Sequence, residues 1–151
     1  MSMAIRGARV ILPHGVEETD VVISDGVITA VGSASGAEAE IDARGQYLAA
    51  ALVDVHGDAF ERQMMPRPGV FFPMEAAVID TDRQLAANGI GTAYHAVTLS
   101  WEPGLRSVER GRRFINALAT LRPRLTVENR VQLRWETFAF EAIDLMEEAL
   151  R

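Results

Sequence analysis

Cysteine is absent from the 151 residues, so neither a disulfide framework nor a thiolate zinc site can form. That absence fits a reducing compartment, and a cytoplasmic location is expected. Positive charge is in short supply. Lys and Arg number 15 against 21 Asp and Glu, and the net charge of −6 argues against a track for nucleic-acid phosphates. No apolar run approaches the ~18 residues of a membrane helix, so no membrane partner is expected. The opening stretch, broken by Arg6 and Arg9, lacks a signal-peptide layout. Internal repeats and low-complexity tracts are missing too, although Gly32 to Ala39 is small and flexible in composition. What is present is 48% apolar content, enough for one substantial core.

The first 50 residues read as a small antiparallel β-unit without a useful helix. Ala8 to Leu12 is a short strand, and Pro13-His14-Gly15 is a turn. Glu17 to Asp20 is polar. Val21 to Ile23 and Val27 to Val31 flank Ser24-Asp25-Gly26, and Asp-Gly is a strong hairpin signal because both residues tolerate positive φ. Glu40 to Ala43 and Gln46 to Leu48 are weaker strand candidates.

The pattern changes after Ala49. Leu52, Val53 and Val55 form an apolar, β-branched run that ends in His56-Gly57-Asp58, the signal of a buried strand. Alternation along a strand puts His56 and Asp58 on one side, with Asp54 below them. Imidazole nitrogen and carboxylate oxygen suit zinc, manganese and similar divalent ions. A lone His-x-Asp at a strand end more often just caps or pairs. Gly57 favours the ligand reading, because glycine permits close approach to a bound group.

A long loop is expected from Phe60 to Pro73. Its prolines fix φ and lower the entropy lost on ordering. Arg67, between Pro66 and Pro68, is either a stiffly presented cation for phosphate or a solvated loop arginine. Phe71 and Phe72 are expected to lie as a lid over the core. A helix follows from Met74 to Asn88, with Pro73 at its entrance and Gly89 beyond its end. Thr92 to Leu99 is a second apolar strand. Its His95 is either a ligand or a satisfied core histidine, and the second is the expectation. Leu105 to Leu121 reads as a helix with Leu105, Val108, Ile115 and Leu118 on one face. Val131 to Thr137 is a third strand. Val131, Leu133 and Trp135 face one way, and Gln132, Arg134 and Glu136 the other. Phe138 to Arg151 is a last helix.

Strand, helix, strand, helix, strand, helix is the grammar of a parallel sheet with crossover helices. Polar residues on one side of a parallel strand make sense inside a barrel, near its C-terminal mouth. His56, Asp58 and Glu136 would meet there.

In these features the sequence resembles the amidohydrolase superfamily, with its small β-unit followed by a (β/α)8 barrel whose first strand ends in a histidine-containing metal motif. More closely, the stretch from His56 to Pro73 resembles the PhnM-like family of α-D-ribose 1-methylphosphonate 5-triphosphate diphosphatases. The resemblance continues through Asn88 to Thr92 and Leu133 to Glu136, and covers most of residues 20–137. It implies an α/β fold. Residues 1–50 would form the N-terminal part of a small β-sandwich domain, and residues 51–151 the first three βα units of a TIM-like barrel. It implies a hydrolase of phosphonate metabolism that cleaves a ribose 5-triphosphate to the 5-phosphate and pyrophosphate.

One or two divalent ions, zinc or manganese, would be held by His56, Asp58 and Glu136. A bound ion would lower the pKa of a water near neutral pH and offset charge on the attacked phosphoryl group. Arg67, and less directly Arg134 and Arg62, would grip the polyphosphate of a phosphorylated small-molecule substrate.

Two departures stand out. Ala50-Ala51 replaces the family's usual Pro-Gly before the first barrel strand. The length covers three strand-helix units, whereas such a barrel takes roughly 200–250 residues. The chain is therefore expected to be the N-terminal piece of a longer enzyme, inactive alone and completed by a C-terminal part or by homo-oligomerisation. A cyclic-amide hydrolase or deaminase, and a non-catalytic assembly module that keeps the front half of the fold, are the other two readings.

Overall fold

Strands β1 (Ser2–Leu12) and β2 (Gly15–Ser24) open the computed structural model, which describes residues 1–33 and 35–150. They pair antiparallel from Ser2↔Ser24 to Leu12↔Gly15, with one irregularity between Ile5 and Ala8. Both strands are longer than the apolar runs suggest. Pairing uses backbone groups, so the ladder continues through the polar Glu17–Asp20 on an exposed sheet. Asp25 (φ 50°) and Gly26 (φ 80°) make the hairpin turn into β3 (Val27–Val31), both with the positive φ that a tight turn of this twist needs. The antiparallel unit is present, and two further strands join it. β4 (Ala39–Asp42) and β5 (Tyr47–Leu48) each run parallel to β1. Ala8, Val10 and Val21 form its small core. Ala34, within the small-residue stretch, and Arg151, at the end of the expected last helix, lie outside the described residues.

By contact the chain divides into two units, Met1–Ala50 and Ala51–Arg151. The second unit is mixed α/β. β6 (Leu52–Gly57), β7 (Ile90–Leu99) and β8 (Glu128–Trp135) form a parallel sheet in that order. Between β6 and β7 lie α1 (Ala59–Met64) and α2 (Met74–Ala87), between β7 and β8 lies α3 (Val108–Leu121), and α4 (Ile143–Ala149) follows. The strand-helix alternation of a parallel sheet is therefore observed.

Alternate residues of β7 point toward the helices. Ala93, His95, Val97 and Leu99 are all buried there, against Phe60, Met64, Val78, Phe114 and Leu118 among others. Val131 and Leu133 pack on the same side. On the opposite face Ala96 and Thr98 of the central strand are also buried, whereas the border strand β6 is not. Leu52, Val53 and Val55 of β6 are 62%, 56% and 67% exposed, so the buried strand expected there is instead an exposed border of the sheet.

Three expectations need correction. Residues 60–73 are not one long loop, because α1 occupies their first third. A six-residue helix is too short for a visible period, but Phe60 and Met64 lie four apart, on one face, and both are buried. α3 begins at Val108 rather than Leu105, because Ser107 caps it and accepts from Arg110 N–H at 3.3 Å. The final helix is broken. A 3-10 turn at Phe140–Ala142 precedes α4, and Phe138 and Phe140 are exposed rather than part of an apolar face.

Candidate functional site

The C-terminal end of β6 departs from simple alternation. Asp54 pairs with Ala93, and Gly57 pairs with His95, so three steps along β6 match two along β7. This is a β-bulge with one extra residue. Ala93 and His95 both face the helices, so Asp54 and Gly57 do as well. Val55 and His56 are turned together onto the opposite face, where both are exposed. The expected grouping of Asp54 beneath His56 is thereby overturned, since the bulge separates their faces. Asp58 follows the strand, exposed, as the residue that precedes α1, and makes no side-chain cap bond.

On β8, Gln132 and Arg134 pair with Ala96 and Thr98, the residues of β7 that alternate away from the helices. Arg134 is exposed, without a hydrogen bond or ion pair among the described residues. Glu136 lies just past the strand, half-buried, and its N–H donates to Leu99 O at 3.1 Å. Thr98 Oγ1 and Gln132 Oε1 are buried with no hydrogen-bond partner among the described residues. Buried polar atoms are seldom left unpaired, so this face retains bonding capacity for a bound group or water.

Sequence reasoning missed an ion pair beside these strand ends. Arg106, in the loop after β7, donates from Nε and Nη2 to Glu61 Oε1 and Oε2, each at 2.9 Å. Its pKa is raised chiefly by these bonds to Glu61, with further contributions of the same sign from Asp58 and Glu136. Asp58 from the end of β6 and Glu136 from the end of β8 thus lie within electrostatic reach of one guanidinium. No local pattern signals this, because Glu61 and Arg106 are brought together only by the sheet.

Asp58 and Arg62 share an open recess of about 300 Å³ with Ala59, Glu61, Met65 and Leu105. Arg67 is not part of its lining. It sits in a tight turn closed by Val70 N–H donating to Arg67 O at 3.0 Å, with Gly69 at φ 77°. The expected lid is not formed. Phe71 lies beneath Arg110, whose guanidinium carbon is 3.7 Å from the ring centroid, and Phe72 is half exposed. The turn is therefore fixed to α3 by a cation–π contact.

His95 is a core histidine. It is buried between the edges of Phe60 and Phe114, each ring 5.4 Å away, and its Nε2 bonds Asn129 Oδ1 at 2.7 Å. Asn129 Nδ2 in turn donates to Asp82 at 2.8 Å. Burial lowers the His95 pKa below its usual value, opposed in part by Asn129, Asp54 and Asp82. The unfolded chain therefore binds this proton more readily than the folded one below about pH 6.5. The stability contributed by neutral His95 should be complete above that pH and decline as pH falls toward the lowered folded value. His95→Gln should flatten the melting temperature between pH 7 and 5 relative to the parent. Equal slopes in a calorimetric pH series would refute this.

Imidazole and carboxylate donors fit a zinc- or manganese-like ion in kind. Among the described residues, however, no three His, Asp or Glu side chains converge closely enough to hold one by themselves. His56, Asp58 and Glu136 can make at most part of a coordination shell.

No protein-family model matches the chain. It is similar to the α-D-ribose 1-methylphosphonate 5-triphosphate diphosphatase of Escherichia coli strain K12, with 26% identity over 153 residues, covering 99% of this chain and 40% of that one. Among solved structures it is similar to a D-hydantoinase, with a TM-score of 0.65, 18% identity, and coverage of 99% of this chain and 31% of that one. It is also similar to an N-acyl-D-glutamate deacylase from Bordetella bronchiseptica in complex with zinc and a phosphonate inhibitor. That match has a TM-score of 0.52, 18% identity, and coverage of 87% and 29%. The fold is thus that of the N-terminal portion of amidohydrolase barrel enzymes. The chain spans less than half the length of these relatives.

Proposed function

We propose that these 151 residues form the opening part of a metal-dependent hydrolase of phosphonate metabolism. The reaction adds water across the phosphoanhydride bond of α-D-ribose 1-methylphosphonate 5-triphosphate, leaving the 5-phosphate and releasing pyrophosphate. The observation that carries this reading is that His56 and Asp58 lie at the C-terminal end of β6 and Glu136 just past the same end of β8, in one parallel sheet. The 26% identity to the E. coli diphosphatase supports the choice of substrate.

His56, Asp58 and Glu136 would contribute ligands to one or two divalent ions. When bound, such an ion supplies Lewis acidity toward water and the phosphoryl oxygens. Arg134 and Arg62 are exposed cations on the open face and beside Asp58, and each can offset polyphosphate charge. Arg67 would do the same from its braced turn. The substrate is a phosphorylated small molecule, the setting is cytoplasmic, and a homo-oligomer or further polypeptide completes the sheet.

The test uses the complete gene product carrying this sequence. Phosphorus NMR should show pyrophosphate released from the ribose triphosphate, and a chelator should reduce the rate at least a hundredfold, with zinc or manganese restoring it. The 151 residues alone are expected to show no turnover, because their three ligands do not close a coordination shell. The hydantoinase-like fold favours a second reading, hydrolysis of a cyclic amide. Turnover of hydantoin or dihydropyrimidine, with none of the triphosphate, would establish that reading instead. A product that binds no divalent ion and turns over neither would be a non-catalytic assembly module.

A further inference from the structure

We infer that Asp54 is a positioning residue for His56. Its carboxylate holds the bulge that turns His56 onto the open face of the sheet, and Gly57 is glycine because that carboxylate fills the place of its Cβ.

Three independent observations carry this. Asp54 Oδ1 accepts from His56 N–H at 3.1 Å, a side-chain bond to the backbone two residues on that offers the chain an alternative to the sheet ladder. A Cβ on Gly57 would stand 2.5 Å from Asp54 Oδ2, closer than real side chains approach, and a tight 3.2 Å from its Cγ. The register shift falls between these two residues, with Asp54 opposite Ala93 and Gly57 opposite His95. One carboxylate therefore binds the extra backbone N–H of the bulge and covers the residue that closes it.

Without the bulge, residue 56 would share the face of Asp54 and point at the helices, toward Phe60 and Phe114. The imidazole would then be lost to the site, since a two-residue step returns a side chain to the same face. Asp54 is paired with Ala93, whose side chain packs with Leu85 of α2, and this places the carboxylate on the helix side. It cannot itself reach a group bound on the open face. It acts through the backbone, as partners behind a metal ligand commonly do.

As far as it concerns metal binding, the inference rests on the reading above, so the experiment separates the two. Zinc is titrated calorimetrically into the complete gene product carrying this sequence and into its Asp54→Ala, Asp54→Asn, Gly57→Ala and double Asp54→Ala/Gly57→Ala variants. The His56 amide resonance is followed in the same samples. Asp54→Ala should weaken zinc binding at least tenfold and move the His56 amide upfield. Asp54→Asn, which keeps a carbonyl acceptor, should recover most of the affinity. Gly57→Ala should resemble Asp54→Ala, because the new methyl expels the carboxylate. The double variant should be no weaker than either single one, since both changes remove the same contact.

Additive losses in the double variant would overturn the inference, as would unchanged affinity in Asp54→Ala. If the parent chain binds no zinc, the metal reading fails on that result alone. The amide shift then decides the inference, and an unmoved His56 resonance in Asp54→Ala would sink it.

Discussion

Asp82→Ala is expected to remove about 3–5 kcal/mol of folding stability, seen as a large fall in the urea midpoint with little change in slope. Asp82 sits on α2, almost fully buried. Its Oδ1 accepts from Val127 N–H at 2.9 Å and from Asn129 Nδ2 at 2.8 Å, and its Oδ2 accepts from Thr126 N–H at 2.9 Å. Alanine would leave the buried Val127 N–H and the part-buried Thr126 N–H without their acceptor and Asn129 Nδ2 with Val127 O alone, and each lost bond costs roughly 1–3 kcal/mol, less when the groups can relax together. Asn129, the partner of His95, would also lose one of its two restraints and keep only its bond to Val127 O at 2.8 Å. Asp82→Asn keeps one carbonyl acceptor and should fall between parent and alanine variant. If Asp82→Ala melts within about 1 kcal/mol of the parent, the carboxylate is not what seats β8 against α2.

Phe114→Ala should cost about as much, roughly 3–5 kcal/mol, through a different cause. Phe114 is buried at the centre of the second unit. Its ring stacks on Phe60 with centroids 4.3 Å apart and planes at 26°, and it meets the edge of His95 at 5.4 Å. Removing it opens a cavity where α1, α3 and β7 converge. The loss should extend to α1, which carries Glu61, and so loosen the Arg106 pair. Phe114→Leu keeps most of the volume and should lose no more than about 1.5 kcal/mol. Urea midpoints test the energetics, and the His95 ring resonances test the local geometry. A Phe114→Ala variant that leaves those resonances in place would refute the packing account.

The order of strands and helices was legible because apolar runs and their spacing follow from burial on a parallel sheet. The Asp25-Gly26 hairpin was legible because its chemistry is local. The shared face of Val131 and Leu133 followed from strict alternation, and the core role of His95 from its place in an apolar strand. Three kinds of feature were not legible. α1 is too short to show a period. The bulge at Val55-His56 leaves no trace in composition beyond Gly57, and it inverts the face on which Asp54 was expected. The contacts of Arg106 with Glu61, and of Asp82 with Asn129, join residues distant in sequence that only the assembled sheet brings together. For the candidate site, the residue types at the strand ends could be read directly, whereas their neighbours could not.

The two outer strands of the parallel sheet differ in regularity. β6 carries two register shifts, so its outward N–H and C=O groups are unevenly spaced. β8 matches β7 without interruption from Glu128 to Trp135. Beside it lies an open groove of about 680 Å³ where Leu118 and Val131 meet Arg122 and Arg130. A regular ladder nucleates an incoming β-strand and a crumpled one discourages it. A strand added beside β8 therefore meets a regular ladder, whereas one that closes onto β6 must accommodate its shifts.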